Sequence, residues 1–283
     1  MRNVSLPRTL NELWQILRDE PRSTLYAGGT DLLVKMRSGL IQPHHLVCLE
    51  RIDELKAVED REEEIYIGSC TTFTELLQSP LIRKHFPVLI DGLKVLGSPP
   101  IRNMGTIGGN IVTASPAGDT LPPLYVLRAE VELRKEDSSR RVAIKDFLKG
   151  PGETLLAPGE VLTGIFVSKQ ADLNLHHYEK VGQRKALAIA VVSLAALLRV
   201  SGRGIVEEAR LAWGSVAPTV ITSTEVEAIL IGNRLSRQVL EKAARLVRTI
   251  VKPIDDLRAS ADYRRQVAGN LLLRLGLKHG KTC

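Results

Sequence analysis

The sequence predicts an α+β fold, on three observations. Thr9 with Glu12, and Thr72 with Glu75, are capping-box pairs, each standing just ahead of apolar residues at helical spacing. Strand-like runs such as "EEIYIGS", "VLTGIFVS" and "IVEEARLAWGSVA" lie between and after these helices. The two kinds of segment are partly segregated along the chain, which argues against a doubly wound sheet.

Taken in order, Leu10, Leu13, Trp14 and Leu17 form the stripe of a first helix, from about Leu10 to Arg18. "STLYAGG" reads as a short strand running into a glycine turn. "HLVCLERI" and "EEIYIGS" read as strands joined by a charged connection, and the second capping box starts a helix through Leu77. "PVLIDGLKVLG" is a further helix, with Pro87 in its first turn and Gly97 where a C-cap belongs. "SPPIRNMGTIGGNIVTASPAGDTLPP" is rich in Gly and Pro and is expected to be an ordered loop system without regular structure. "YVLRAEVELRKE" and "SRRVAIKDFL" resume strand character, and "KGPGETLLAPGEV" is rich in turns. "VLTGIFVS", "LAIAVVSLAALLRV" and "IVEEARLAWGSVA" follow as strands, the last two joined by the turn "SGRG". Two helices close the chain. Ser236 precedes Val239, Leu240, Ala243, Leu246, Val247 and Ile250; Ser260 precedes Tyr263, Val267, Leu271 and Leu275, with an expected end at Gly276. The polar segment Lys169 to Asn174 is the expected domain boundary, giving domains 1–172 and 173–283.

Hydrophobic residues make up 44 % of the 283, enough for a sizeable core and against disorder. The net charge of +7 suits an anionic ligand, an acidic protein partner or nucleic acid. The basic residues are spread out with no interleaved aromatics, so no nucleic-acid partner is expected. The three cysteines, Cys48, Cys70 and Cys283, include no CxxC pair, which weighs against a disulfide framework, a zinc site or a cluster held by four thiolates. The adjacent His176 and His177 lack carboxylates at ligand spacing, and no metal is expected. The longest apolar stretch, Ala186 to Leu198, has 13 residues, short of the ~20 needed to cross a bilayer. No signal peptide is indicated at the start, and a soluble, cytoplasmic protein is expected.

Two glycine clusters, "AGGTDLL" and "GTIGGN", stand about 80 residues apart. Neither fits the GxxxxGK[ST] or GxGxxG phosphate loops. Each alone has two readings: a turn that needs φ > 0, or consecutive backbone N–H groups that an anion can approach where no Cβ intervenes. Thr30 adds a hydroxyl donor beside the first cluster. A long dinucleotide-like ligand needs more than one cradle, which two distant loops could supply. Asp119 either accepts from a sugar or ribityl hydroxyl or caps the turn before "TLPP".

"YAGGTDLLVKMR" together with "IRNMGTIGGNIVTASPAGD" resembles the FAD-binding subunit of the molybdenum hydroxylases. That group includes the medium subunits of aerobic carbon monoxide dehydrogenase and of bacterial xanthine dehydrogenases. "YEKVGQRKALAIAVVSLAA", "VEEARLAWGSVAPT" and "DDLRASADYRRQVAGNLLLRL" are similar to the family's C-terminal domain, so the resemblance covers nearly the whole chain. It implies a vanillyl-alcohol-oxidase/PCMH-type FAD domain in two α+β subdomains, roughly 1–55 and 56–172, followed by a smaller sheet-and-helix domain.

By position, the resemblance gives the FAD pyrophosphate a first cradle of Ala27, Gly28, Gly29, Thr30, Asp31 and Leu32. The second is Thr106, Gly108, Gly109 and Asn110, with Asp119 as the acidic contact. Leu162 and Lys180 match a backbone contact and a basic residue near the flavin; read without the family, Lys180 is an ordinary surface charge at a strand end. No histidine lies in either loop, so the FAD is expected to be non-covalent. The chain would hold no catalytic residue of its own. It would relay electrons from the [2Fe–2S] clusters of a small subunit, reduced by a large molybdopterin subunit, to an external acceptor. The expected assembly is a dimer of heterotrimers. Two alternatives remain at this point: a stand-alone flavin oxidoreductase of the same fold, and a non-catalytic assembly protein that has lost the flavin.

Overall fold

The structure, a computed structural model, describes residues 3–169, 172–184 and 187–279. Cys283 lies outside them, as do Gln170 and Ala171 of the expected boundary and Ala186 of the apolar stretch. In chain order the elements are β1 (Asn3–Ser5), α1 (Leu10–Asp19), β2 (Thr24–Tyr26), α2 (Leu32–Arg37), β3 (His45–Cys48), β4 (Val58–Arg61) and β5 (Glu64–Gly68). Six short helices follow: α3 (Phe73–Gln78), α4 (Pro80–His85), α5 (Pro87–Lys94), α6 (Pro99–Met104), α7 (Ile107–Thr113) and α8 (Leu121–Val126). Next come β6 (Glu130–Arg134), β7 (Ser139–Ala143), α9 (Ile144–Phe147), β8 (Leu148–Gly150), β9 (Glu153–Thr154) and β10 (Val161–Ser168). The chain closes with β11 (Leu175–Val181), β12 (Val192–Val200), β13 (Val206–Gly214), α10 (Thr224–Leu230), α11 (Arg237–Ile250) and α12 (Ala261–His279).

The described residues of Met1–Leu81, Ser98–Ala114 and Ala129–Ser168 form one compact unit. Those of Ile82–Gly97, Ser115–Arg128 and Lys169–Cys283 form a second. Residues 82–97 and 115–128 thus cluster with the C-terminal part, because their helices α5 and α8 pack on its sheet.

The first unit holds a parallel sheet of order β1-β3-β2 and an antiparallel sheet of order β4-β5-β10-β6-β7. Helix α1 buries Leu10, Leu13 and Trp14 against Val47, Leu49, Ile52 and Leu55. Its cap differs in one arm from the predicted box. Thr9 accepts from the Glu12 amide, but the Glu12 carboxylate takes the N–H of Arg8, not of Thr9. At Thr72 and Glu75 both arms of the box are made.

The second unit is a meander, β11-β12-β13, covered by α10 to α12 and by α5 and α8. Because β12 is central and covered on both faces, Val192 to Leu198 are all buried, which is why that strand reads as a continuous apolar run. On α11 the buried residues Leu240, Ala243, Ala244 and Val247 recur at helical spacing. Trp213 is wholly buried and its indole N–H donates to the Ala268 carbonyl of α12, at 3.2 Å.

Four local expectations are corrected. The Gly- and Pro-rich stretch forms three short helices, α6, α7 and α8, because its prolines sit at first-turn positions where no N–H is needed and Ser98 and Thr106 cap. Helix α5 ends at Lys94 with Val95 as its C-cap, and Gly97, at φ +49°, turns the chain beyond it. Strand β12 starts at Val192, not Leu187, because Leu187 lies at φ +57° and cannot continue a strand. Helix α12 runs past Gly276 to His279; that glycine is there for packing, since a Cβ would come within 2.3 Å of Leu240 Cδ1.

Candidate functional site

The first glycine turn leaves the carboxyl end of β2 in the parallel sheet, a place where α/β topologies commonly take ligands. Gly29 lies at φ +67°, a conformation that favours glycine. Leu33 N–H donates to the Gly29 carbonyl at 3.0 Å, so the amides ahead of it have no helical acceptor of their own. Asp31 precedes α2 but does not cap it. Its carboxylate pairs with Lys35 at 2.7 Å and accepts from the Thr113 hydroxyl at 3.2 Å. Its charge is therefore matched, and a neighbouring anion would not meet a bare carboxylate.

The second turn is pinned along the segment 69–73. Phe73 N–H donates to Gly105 O at 3.1 Å, Ile107 N–H to Thr71 O at 3.1 Å, and Gly108 N–H to Ser69 O at 2.9 Å. Gly108 must be glycine for packing, because a Cβ would lie 2.5 Å from Ser69 Cβ. Thr106 caps α7 by accepting from Gly109 N–H at 3.1 Å, and Asn110 N–H donates to Thr106 O at 3.0 Å. Gly109 itself is exposed, and a Cβ there would meet only the Thr106 hydroxyl, at 3.0 Å.

The two turns adjoin within the first unit. A Cβ on Gly28 would lie 1.6 Å from the Met104 carbonyl oxygen, and Thr113 reaches Asp31. The amides of the first turn and the hydroxyls of Thr30 and Thr106 are donors that fit a diphosphate, with the Asp31 carboxylate already paired to Lys35 and the exposed Gly109 beside them. Leu162 belongs to the same unit, on β10 at the bulge where its pairing with β6 shifts, with its side chain buried. The next residue, Thr163, accepts through its carbonyl from Ser69 N–H at 3.0 Å, tying this strand to the segment that pins the second turn.

Asp119 and Lys180 lie in the second unit and form a buried pair, Nζ to Oδ2 at 2.6 Å. Lys180 is thus no surface charge; its side chain is 7 % exposed and also donates to the Val95 carbonyl at 3.1 Å. Asp119 does not spend its side chain on capping the following turn. Its other oxygen accepts from the Tyr178 hydroxyl at 3.1 Å. Burial pushes the Asp119 carboxyl up, with Lys180 pulling the other way, and burial raises the Tyr178 phenol well above its ordinary value. Tyr178 was not among the expected site residues. The signal for it was the alternation in "HHYEK", which sets His176, Tyr178 and Lys180 on one face of β11 and His177 and Glu179 on the other.

The histidines of that strand are placed beside carboxylates, His176 3.8 Å from Asp91 and His177 3.4 Å from Glu179. Cys48 and Cys70 are free and buried, and burial pushes the Cys70 thiol up to about 12. Among the described residues no helix is long and apolar enough to cross a membrane.

Residues 1–169 match the family described as the FAD-binding domain in molybdopterin dehydrogenase, and residues 177–278 match the carbon monoxide dehydrogenase flavoprotein C-terminal domain. The chain is 32 % identical over 250 residues to the carbon monoxide dehydrogenase medium chain of Hydrogenophaga pseudoflava, covering 88 % of this chain and 86 % of that one. It is 32 % identical over 259 residues to the xanthine dehydrogenase FAD-binding subunit of Escherichia coli O157:H7, covering 90 % and 88 %. A solved structure of carbon monoxide dehydrogenase from Hydrogenophaga pseudoflava superposes with a TM-score of 0.91 at 31 % identity, covering 96 % of this chain and 95 % of that one.

Proposed function

Because this chain belongs to the family of FAD-binding subunits of molybdopterin dehydrogenases, which are oxidoreductases, we propose that it is the electron-relay subunit of such a complex. In this reading it takes electrons from [2Fe–2S] clusters on a small partner subunit and delivers them to an external acceptor. Substrate is oxidised on a large molybdopterin subunit, and the whole works in the cytoplasm as a dimer of heterotrimers. FAD, bound non-covalently, supplies the electron-accepting and electron-releasing chemistry.

What this chain's residues contribute is binding and position. Ala27, Gly28, Gly29, Thr30, Asp31 and Leu32 offer backbone donors and one hydroxyl to the diphosphate. Thr106, Gly108, Gly109 and Asn110 close on it from the second turn, and Leu162, Asp119 and Lys180 complete the set by their place in the family pattern. The observation that carries the reading is the contrast between the glycines. Gly28 and Gly108 are required by neighbouring backbone and Cβ atoms, whereas Gly109 is exposed and a Cβ there would meet one side-chain hydroxyl, that of Thr106, at 3.0 Å. Without a side chain at this exposed position, a ligand can approach the turn closely.

Gly109→Val tests it. Valine is tolerated in a helical turn, so the thermal transition of the FAD-free chain should move by only a few degrees. The dissociation constant for FAD should rise at least about 30-fold, a loss of roughly 2 kcal/mol. Titration of the FAD-free chain by flavin fluorescence measures this, and an unchanged constant removes the cradle assignment. The relay role has its own check. Pull-down of the tagged chain from its native cell should recover an iron–sulfur polypeptide and a molybdopterin polypeptide; substrate turnover by the isolated chain would overturn it.

A further inference from the structure

We propose that Tyr178 is a positioning residue for Asp119 and thereby sets how tightly FAD is held. The inference rests on the reading above that Asp119 contacts the cofactor. Asp119 is 8 % exposed, and its two carboxylate oxygens are gripped by different donors, Oδ1 by the Tyr178 hydroxyl and Oδ2 by the Lys180 ammonium. The last torsion of an aspartate is soft, so a single contact at Oδ2 would leave the carboxylate plane free to swing. A second contact at Oδ1 removes that freedom. Both donors come from one strand, two residues apart, so their spacing is set by the backbone of β11.

The room for this arrangement is built in on both sides. Gly92 of α5 faces the cluster, where a Cβ would meet the Asp119 carbonyl oxygen at 3.0 Å, Pro123 at 3.1 Å and the Tyr178 ring at 3.8 Å. Ser193, 2 % exposed, stands opposite Lys180 on the neighbouring strand β12. Gly214 leaves room for that serine, since a Cβ would come 2.5 Å from its hydroxyl. The result is a carboxylate held from two sides, by Tyr178 at Oδ1 and by Lys180 at Oδ2. With the carboxylate plane fixed, its remaining lone pairs point the same way before and after a ligand hydroxyl arrives, so little ordering is left for binding.

The experiment is a double-mutant cycle on FAD affinity, using the full chain freed of FAD. Tyr178→Phe keeps the ring and removes only the hydroxyl; the dissociation constant should rise about 10-fold. Asp119→Asn should weaken binding more, and the double variant no further than Asp119→Asn alone, a coupling of about 1.4 kcal/mol, which is that tenfold converted. Tyr178→Leu, which also lacks the hydroxyl, should give a rise of at least about tenfold that likewise vanishes when combined with Asp119→Asn; it decides the matter if Tyr178→Phe does not fold. Normal affinity in Tyr178→Phe, or penalties that simply add in the double variant, would overturn the positioning role while leaving Asp119 as a contact. Normal affinity in Asp119→Asn would overturn the contact itself and the positioning role with it.

Discussion

A Gly28→Ala chain is expected to melt well below the parent and to come off the column with little FAD. One methyl group does this because of where it must go. It would sit 1.6 Å from the carbonyl oxygen and 2.4 Å from the carbonyl carbon of Met104. Those are backbone atoms at the end of α6, and Gly105 just beyond is fixed by the bonds of its own amide to Ile101 O and its carbonyl to Phe73 N–H. No rotamer relieves the clash, so the two turns must separate. Overpacking of this kind costs roughly 3 kcal/mol or more. The control is Gly39→Ala, at φ +76° with nothing within 4 Å, where only backbone strain applies, about 1 kcal/mol. Thermal denaturation of both variants with flavin quantitation checks this. Equal shifts would mean that the adjoining turns yield more easily than their bonding implies.

Arg264→Met is expected to destabilise the second unit by about 3 kcal/mol. The arginine side chain is 4 % exposed and its guanidinium joins three segments. It donates to the Val191 carbonyl at 2.8 Å and the Ser215 carbonyl at 3.2 Å, and pairs with Asp256 at 2.7 Å. Methionine fills much of the volume but leaves both carbonyls and the carboxylate without this donor. The effect should depend on pH in a defined direction. The Arg258 backbone N–H, with the Arg264 guanidinium and the Ala259 N–H, holds the Asp256 carboxyl down at about 2 against an ordinary value of 3.8. A depressed carboxylate stabilises above its unfolded value and loses that contribution as pH falls through the folded one. Parent and variant should therefore draw closer as pH drops from about 4 toward 2, because the loss starts near the same pH in both but is smaller, and complete at a higher pH, in the variant. Chemical denaturation at about pH 7 and about pH 3 reads both effects; a gap that widened on acidification would contradict the assignment.

Much of this molecule is local enough to be read along the chain. Helices α1, α3, α11 and α12 follow from caps and apolar stripes, and β10, β12 and β13 from apolar runs bounded by turns. These depend on residues within a few positions of each other. The glycine clusters were legible as a pair of turns, and their resemblance to a flavoprotein family agrees with the family that the chain matches. Less legible were the helices between Ser98 and Val126, since proline and glycine density says nothing about which proline falls at a first turn. Arg264 reads as one more surface charge in a basic helix until its burial is seen.

The sequence alone determined the α+β class, the ends of its better helices and the presence of the two glycine turns, because each rests on near-neighbour geometry and side-chain chemistry. Only the tertiary structure decided that Gly28 is pressed against Met104 while Gly109 is left open, and that Lys180 spends its charge on Asp119 with Tyr178 as the third member. Each of those facts depends on contacts between residues about 60 to 80 positions apart, or on their absence. Such contacts arise from how strands and helices pack, and no spacing along one strand or helix encodes them.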